Sequence, residues 1–380
     1  MGEEYVTVYL DNSATTKPCE KAVKKALEMM NDNFGNPSSL HLCGYSAKKE
    51  LDKARRTVSG FLGCQGNEIF FTPSGTVSNN TAIFGTVKAK RREGKKVITT
   101  LLEHPSVFKC FENLKEQGYD VVYLKPDSNG KINLDELSNA VDDNTILVSV
   151  MAVNNEVGSI QDISKIKGII KNNKSKAFFH CDAVQAFGKM QIMPKKMGID
   201  LMSMSAHKIH GVKGAGALFV SNNIRLLPYI VGGGQENGVI SGTEATPAIC
   251  AFGEAVNDIG NIEKNLKSVS EIKSYFIDKI KDTDKIIVNS PDDALPYIIN
   301  ISVEGVPSQV MLNSLSSMGI FVSAGSACAK GHRSDVLTAM GVPPKSIDSA
   351  VRISLSKNTS KNDMDLLYNG IIETVNRVRR

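Results

Sequence analysis

Tryptophan is absent from the chain, and aromatic residues make up only 6% of it. No basic run is interleaved with aromatics, so nucleic-acid binding has little support. The densest basic stretch, "KAKRREGKK" at 88–96, reads as a helix end and a turn facing solvent. No apolar run approaches the ~18 residues of a membrane span. The opening "MGEEYVTVYL" lacks a signal-peptide pattern, and Val6 stands where a myristoylation motif needs Ser or Thr. A cytoplasmic location is expected. No C-x-x-C occurs, and the 7 cysteines are odd in number and scattered. That argues against a disulfide framework and a zinc cage, and no metal is expected. Most cysteines read as small, buried, reduced side chains.

What is present is ordinary for a soluble globular chain: 41% hydrophobic, 22% charged, net charge +5 over 380 residues. That length suits one large domain with a smaller companion. After two helical stretches at 18–33 and 44–62, apolar strands alternate with helical patterns. The strands are "EIFFT" (68–72), "KVITT" (96–100), "DVVYL" (120–124), "TILVSV" (145–150), "KAFFHCD" (176–182), "DLMSMS" (200–205) and "GALFV" (216–220). The alternation predicts an α/β fold, a mainly parallel sheet with helices on both faces. From 247 a long helical pattern runs to 281. Strands at 297–303 and 351–355 and helices at 308–319 and 361–379 then give an α+β texture. The expected division is a large domain over 15–255, with 1–14 and 256–380 forming the smaller one.

Several polar residues stand where strands stop, and each has an ordinary reading. Ser74, Gly75 and Thr76 open a helix and could bind an anion, or simply cap it. Asp182 ends a very apolar strand, with Gln185 three residues on. A carboxylate there needs a partner, unless it only caps a helix. His104 follows another strand, and Asn154, Asn155 and Glu156 follow a third. Lys208 lies between His207 and His210 ahead of a glycine-rich stretch. "DSNGKINLDE" lacks the ligands of a calcium loop, and "GGGQENG" is no dinucleotide fingerprint. Together the strand-end residues suit pyridoxal phosphate. That cofactor wants a lysine to link to, an acid at its pyridine nitrogen and donors for its phosphate.

In these motifs the sequence resembles the cysteine desulfurase branch of the class V aminotransferase family, of fold type I. The motifs come in family order: "YLDNSATT", "GNPSSLH", "GTVSNN", "EHPSV", "NNEVG", "CDAVQ", "SAHKIHGVKG", "SGTE", "SAGSACAKG" and "VRISL". The resemblance implies that Lys208 carries the cofactor and that Asp182 pairs with its pyridine nitrogen. It implies Gln185 at the ring hydroxyl oxygen and His104 stacked on the ring, helping to move protons. Gly75, Thr76, Ser205 and His207 would hold the phosphate. Thr243 would reach the phosphate of a neighbouring subunit, which implies a homodimer. Asn155 and Arg352 would bind the substrate carboxylate.

Cys328, in a stretch rich in small residues with Lys330, His332 and Arg333 nearby, becomes the implied nucleophile. The implied reaction converts L-cysteine to L-alanine and leaves a persulfide on Cys328. An acceptor for iron–sulfur assembly or tRNA thiolation would receive the sulfur. Related readings are an aminotransferase, a lyase acting on cysteine or selenocysteine without the relay, and a low-activity partner-binding relative. The chain departs from the family pattern at Ser74 (usually Gly), Val77 (usually acidic), Gln235 (often His), and Asn237 and Ile240 (usually Arg). Its Cys328 stretch is also about two residues shorter than the resemblance leads one to expect.

Overall fold

A computed structural model describes residues 7–325 and 333–378. Strand β1 (Val8–Tyr9) leads to helices α1 (Glu20–Asn31) and α2 (Leu42–Leu62). The alternating stretch follows as β2 (Ile69–Thr72), α3 (Gly75–Lys90), β3 (Lys96–Thr100), α4 (Pro105–Glu116), β4 (Asp120–Leu124), α5 (Leu134–Ala140) and β5 (Thr145–Ser149). It continues with α6 (Ile163–Asn172), β6 (Phe178–Asp182), α7 (Pro194–Met197), β7 (Leu201–Ser205) and β8 (Gly216–Val220). Then come α8 (Thr246–Asp258), α9 (Ile262–Ile280), β9 (Ile286–Val288), β10 (Ile298–Val303), α10 (Ser308–Ser317) and β11 (Ile320–Phe321). Helices α11 (Asp335–Ala339) and α12 (Pro344–Ile347), strand β12 (Ala350–Ser354) and α13 (Lys361–Val378) end the chain.

Seven strands form the main sheet in the order β2-β8-β7-β6-β5-β3-β4. The pairings among β4, β3, β5, β6 and β7 are parallel, while β8 runs antiparallel to both β7 and β2. Every residue of β5, β7 and β8 is buried, which is why those segments read as nearly unbroken small and apolar runs. Helix α6 covers the sheet with Ile163, Ile166 and Ile170, spaced to share one helical face. Phe187 packs edge-on against Phe61 at 5.3 Å and Phe252 at 6.0 Å, tying α2 and α8 to the sheet.

The pattern expected as one helix over 247–281 is two. Gly260 adopts φ +71°, a left-handed conformation that closes α8 and redirects the chain into α9. Outside the main sheet, β10 pairs antiparallel with β12 and β9, and β1 pairs in parallel with β11. The bridge from Asp11 to Ser354 then lays the N-terminal segment across β12. Among the described residues no helix is long and apolar enough to cross a membrane.

Candidate active site

Four parallel strands end on the same edge, and each delivers one candidate residue: β3 leads to His104, β5 to Asn155, β6 to Asp182 and β7 to Lys208. Carboxyl ends of parallel strands are where such sheets place ligands. Asp182 is buried at 4% exposure, and its partners fix it. Oδ1 accepts from Val184 N at 2.9 Å, and Oδ2 accepts from Asn79 Nδ2 at 2.8 Å. Asn79 reaches it because α3 runs across the sheet with its inward face built from small and polar residues. Its role was not read from the sequence, although it lies in the quoted "GTVSNN".

Lys208 ends the short turn Ala206–Lys208 directly after β7. Its Nζ donates to Ser13 O and to Ala14 O at 2.8 Å. Burial lowers its pKa to about 8. The Arg352 charge adds to this, and Asp11 and Asp182 oppose it. The "DNSATT" loop that supplies those carbonyls also clamps the lysine segment. Thr16 N and Oγ1 both donate to His207 O at 2.9 Å, and Thr16 Oγ1 accepts from His210 N at 2.7 Å. His210, held at φ +66° against Lys17 O, belongs to this clamp.

His104 N-caps α4, its Nδ1 accepting from Ser106 N at 3.1 Å. Although the residue is exposed, the protein packed along one side of its ring lowers its pKa. Asp182 resists the shift and Lys208 reinforces it. Beneath it, Glu103 is buried. Burial, then the Asp182 charge, pushes its carboxyl up to about 8, although Met151 N and Thr100 Oγ1 donate to it.

The start of α3 keeps its cap despite the departures from the family pattern. Ser74, where glycine is usual, is in extended backbone at φ −168°, and its hydroxyl caps α3 by accepting from Val77 N at 3.2 Å. A Cβ on Gly75 would lie 2.9 Å from Val184 Cγ2 and 3.4 Å from Ser205 Cβ, so only glycine keeps this cradle open. Buried Ser205 Oγ has no partner among the described residues, beside the free amides at the start of α3. His207, held by Thr15 Oγ1 at 3.2 Å, has its pKa lowered to about 4, first by burial and then by nearby lysines, so it stays neutral. An orphaned hydroxyl, a glycine-floored helix N-terminus and a lysine facing a fixed carboxylate fit pyridoxal phosphate.

Gln185 is buried, Nε2 donating to Ser13 O at 3.0 Å and Oε1 accepting from Lys189 Nζ at 2.9 Å. Arg352 is 5% exposed. It holds Asp11 at 2.7 Å and donates to Asn155 O at 3.2 Å, while its Nε finds no partner among the described residues. Asp11, like Asn79, lies in a quoted motif whose role the sequence left unread. Asn154, by contrast, turns inward and braces its loop, accepting from Glu156 N and Val157 N. Thr243 is exposed on the loop before α8, apart from these residues. Cys328 lies outside the described residues. Among those described, no group of His, Cys, Asp and Glu is placed to hold a metal.

A family model described as aminotransferase class-V matches residues 8–367. The chain belongs to the class V aminotransferase family. Within this family, it is 38% identical to a protein of Methanosarcina thermophila named cysteine desulfurase IscS, over 99% of this chain and 94% of that one. A solved structure titled NifS-like protein matches with a TM-score of 0.93 and 33% identity, covering 98% of this chain and all of that one. Another, titled SspA in complex with cysteine, matches at TM-score 0.83 and 32% identity, covering 93% of this chain and all of that one. Class V aminotransferases and cysteine desulfurases are pyridoxal phosphate enzymes.

Proposed function

We propose that this chain is a pyridoxal-phosphate-dependent cysteine desulfurase that converts L-cysteine to L-alanine and carries the removed sulfur on Cys328. The observation that carries this reading is Lys208, its pKa lowered to about 8, at the end of β7 beside a fixed Asp182 and the orphaned Ser205 hydroxyl. When bound, the cofactor supplies the electron sink that lets an amino acid lose its α-proton.

The rest is the chain's own work. Ser205, His207, Gly75 N and Thr76 N would hold the phosphate. Asn79 fixes Asp182, which would pair with the pyridine nitrogen. His104 would lie against the ring, and Gln185 would donate to the ring oxygen. Arg352 leaves Asp11 in part to take the substrate carboxylate, with Asn155 beside it. Lys208 Nζ takes the α-proton. Cys328 Sγ, as thiolate, bonds to the substrate sulfur as the Cβ–S bond breaks, and the carbon is protonated to give alanine.

The same reading assigns 15–255 to the large domain and 1–14 with 256–380 to the small one; the pairing of β1 with β11 supports it. It also assigns a homodimer in which Thr243 reaches the partner's phosphate, and a sulfur-acceptor protein for iron–sulfur assembly or tRNA thiolation. The location it assigns is cytoplasmic, supported by free cysteines at every described position.

The test is purified protein refilled with pyridoxal phosphate and given L-cysteine and a reductant. Equal release of alanine and sulfide is expected, and Lys208→Ala should abolish both. Full turnover by Cys328→Ala would instead support a lyase without the relay. A chain that takes up no cofactor would end the reading.

A further inference from the structure

One buried cation under this site has no part in the roles above. Lys189 lies in the turns after β6 and is 5% exposed. Its Nζ donates to Gln185 Oε1 at 2.9 Å, four residues back on the same face. The other end of that carboxamide donates from Nε2 to Ser13 O, the carbonyl that also accepts from Lys208 Nζ. Lys189, Gln185, Ser13 and Lys208 thus form one continuous chain of hydrogen bonds.

A carboxamide has two different ends that exchange by a half-turn, and its environment must choose between them. A charged lysine amine has donors and no acceptor, so in that form Lys189 takes the oxygen end for itself. Gln185 is left with an N–H facing Ser13 and the site. A buried amine is expensive, and an apolar side chain would fill the same space without that cost. Burial, followed by the charges of Lys208 and Arg352, lowers the Lys189 pKa to about 7. The other titratable groups around it are Tyr297, whose ring lies 5.9 Å from Nζ, and, across a small shared cavity, His210 and Lys357. Lys357 is paired with Asp258 at 2.8 Å.

We propose that Lys189 is a positioning residue that locks the Gln185 carboxamide with its N–H end toward the cofactor's ring oxygen. The inference rests on the cofactor reading above. A donor on the ring oxygen draws electron density from the nitrogen that joins Lys208 to the cofactor. Losing the donor makes that nitrogen more basic.

The experiment follows the absorbance of the bound cofactor against pH, with its dissociation constant measured by titrating apoprotein with pyridoxal phosphate. Lys189→Met should raise the absorbance midpoint by about one pH unit and weaken binding about tenfold, the size of one hydrogen bond at a charged group. Gln185→Leu should do the same, and Lys189→Met/Gln185→Leu should do no more than Gln185→Leu alone. Lys189→Arg should stay close to wild type. Should Lys189→Met fail to fold, Lys189→Gln, whose amide stops short of Gln185, is read in its place. An unmoved midpoint, or effects that add in the double variant, would overturn the inference while leaving the functional reading intact. A wild-type chain that takes up no pyridoxal phosphate would overturn the functional reading and this inference with it.

Discussion

Lys208 is an amine whose surroundings disfavour its proton. Burial is the largest cause, Arg352 adds to it, and Asp11 with Asp182 only partly compensates. An ordinary lysine amine is almost wholly protonated at neutral pH; one that titrates near 8 is free in about one molecule in ten. Only the free amine can attack the aldehyde of pyridoxal phosphate. Capture of the cofactor by apoprotein should therefore accelerate roughly tenfold per pH unit up to about pH 8, then level off. Stopped-flow absorbance checks this, and a rate that keeps climbing to pH 10 would mean the lysine is unperturbed. Its place between two histidines did not by itself single out Lys208; the set of strand-end residues and the family resemblance did. Its partners were not legible. Ser13 and Ala14 act through backbone carbonyls, which carry no residue signature, and Asn79 and Lys189 become visible only once α3 and the 184–189 turns are folded.

At the scale of elements, the inner strands were read closely because burial on both faces leaves a plain apolar run, and the edge strand β4 kept enough apolar residues to be read although it is partly exposed. Segments 96–100, 120–124 and 216–220 coincide with β3, β4 and β8. The break at Gly260 was missed because apolar spacing continues across it, and β9 and β11 are too short to show a period. The loop ahead of α8 lacks two arginines usual in the family pattern, and it is anchored through Glu236. Glu236 is 8% exposed, accepts from Phe71 N at 2.9 Å and pairs through both oxygens with Arg55 at 2.7 Å. Asn237 takes φ +53°, a conformation asparagine tolerates better than arginine, and Ile240 is buried. The departures therefore trade charge for local fit. Glu236→Ala removes the carboxylate that pairs with Arg55, which keeps the Ile69 carbonyl, and should cost about 1–3 kcal/mol in denaturant unfolding. Amide exchange over 232–243 should rise with it. A loss within about 0.5 kcal/mol, the range of ordinary surface changes, would contradict this account of the loop.

Over the whole molecule, the sequence pointed to the architecture and, through the family resemblance, to a homodimer, but not to the face a second copy would cover. Phe34, Leu40, Leu42 and Tyr45 are all exposed within one short stretch, and Val23, Leu27 and Met30 are exposed along α1. Apolar exposure on this scale suits a partner subunit. The chain should sediment at twice its own mass, and Leu40→Asp/Leu42→Asp should shift it toward the monomer. Because Thr243 is proposed to serve the partner's phosphate, that shift should also loosen the cofactor. Chemistry at carbon and chemistry at sulfur are assigned to residues far apart in the chain, Lys208 and Cys328. Turnover needs both. The most direct test is peptide mass analysis after a single turnover with L-cysteine and no reductant. The account predicts the mass of one added sulfur atom on the Cys328 peptide, in step with alanine formed, and neither product in Lys208→Ala. Alanine formed with no sulfur on Cys328, or with the sulfur on another cysteine, would contradict it.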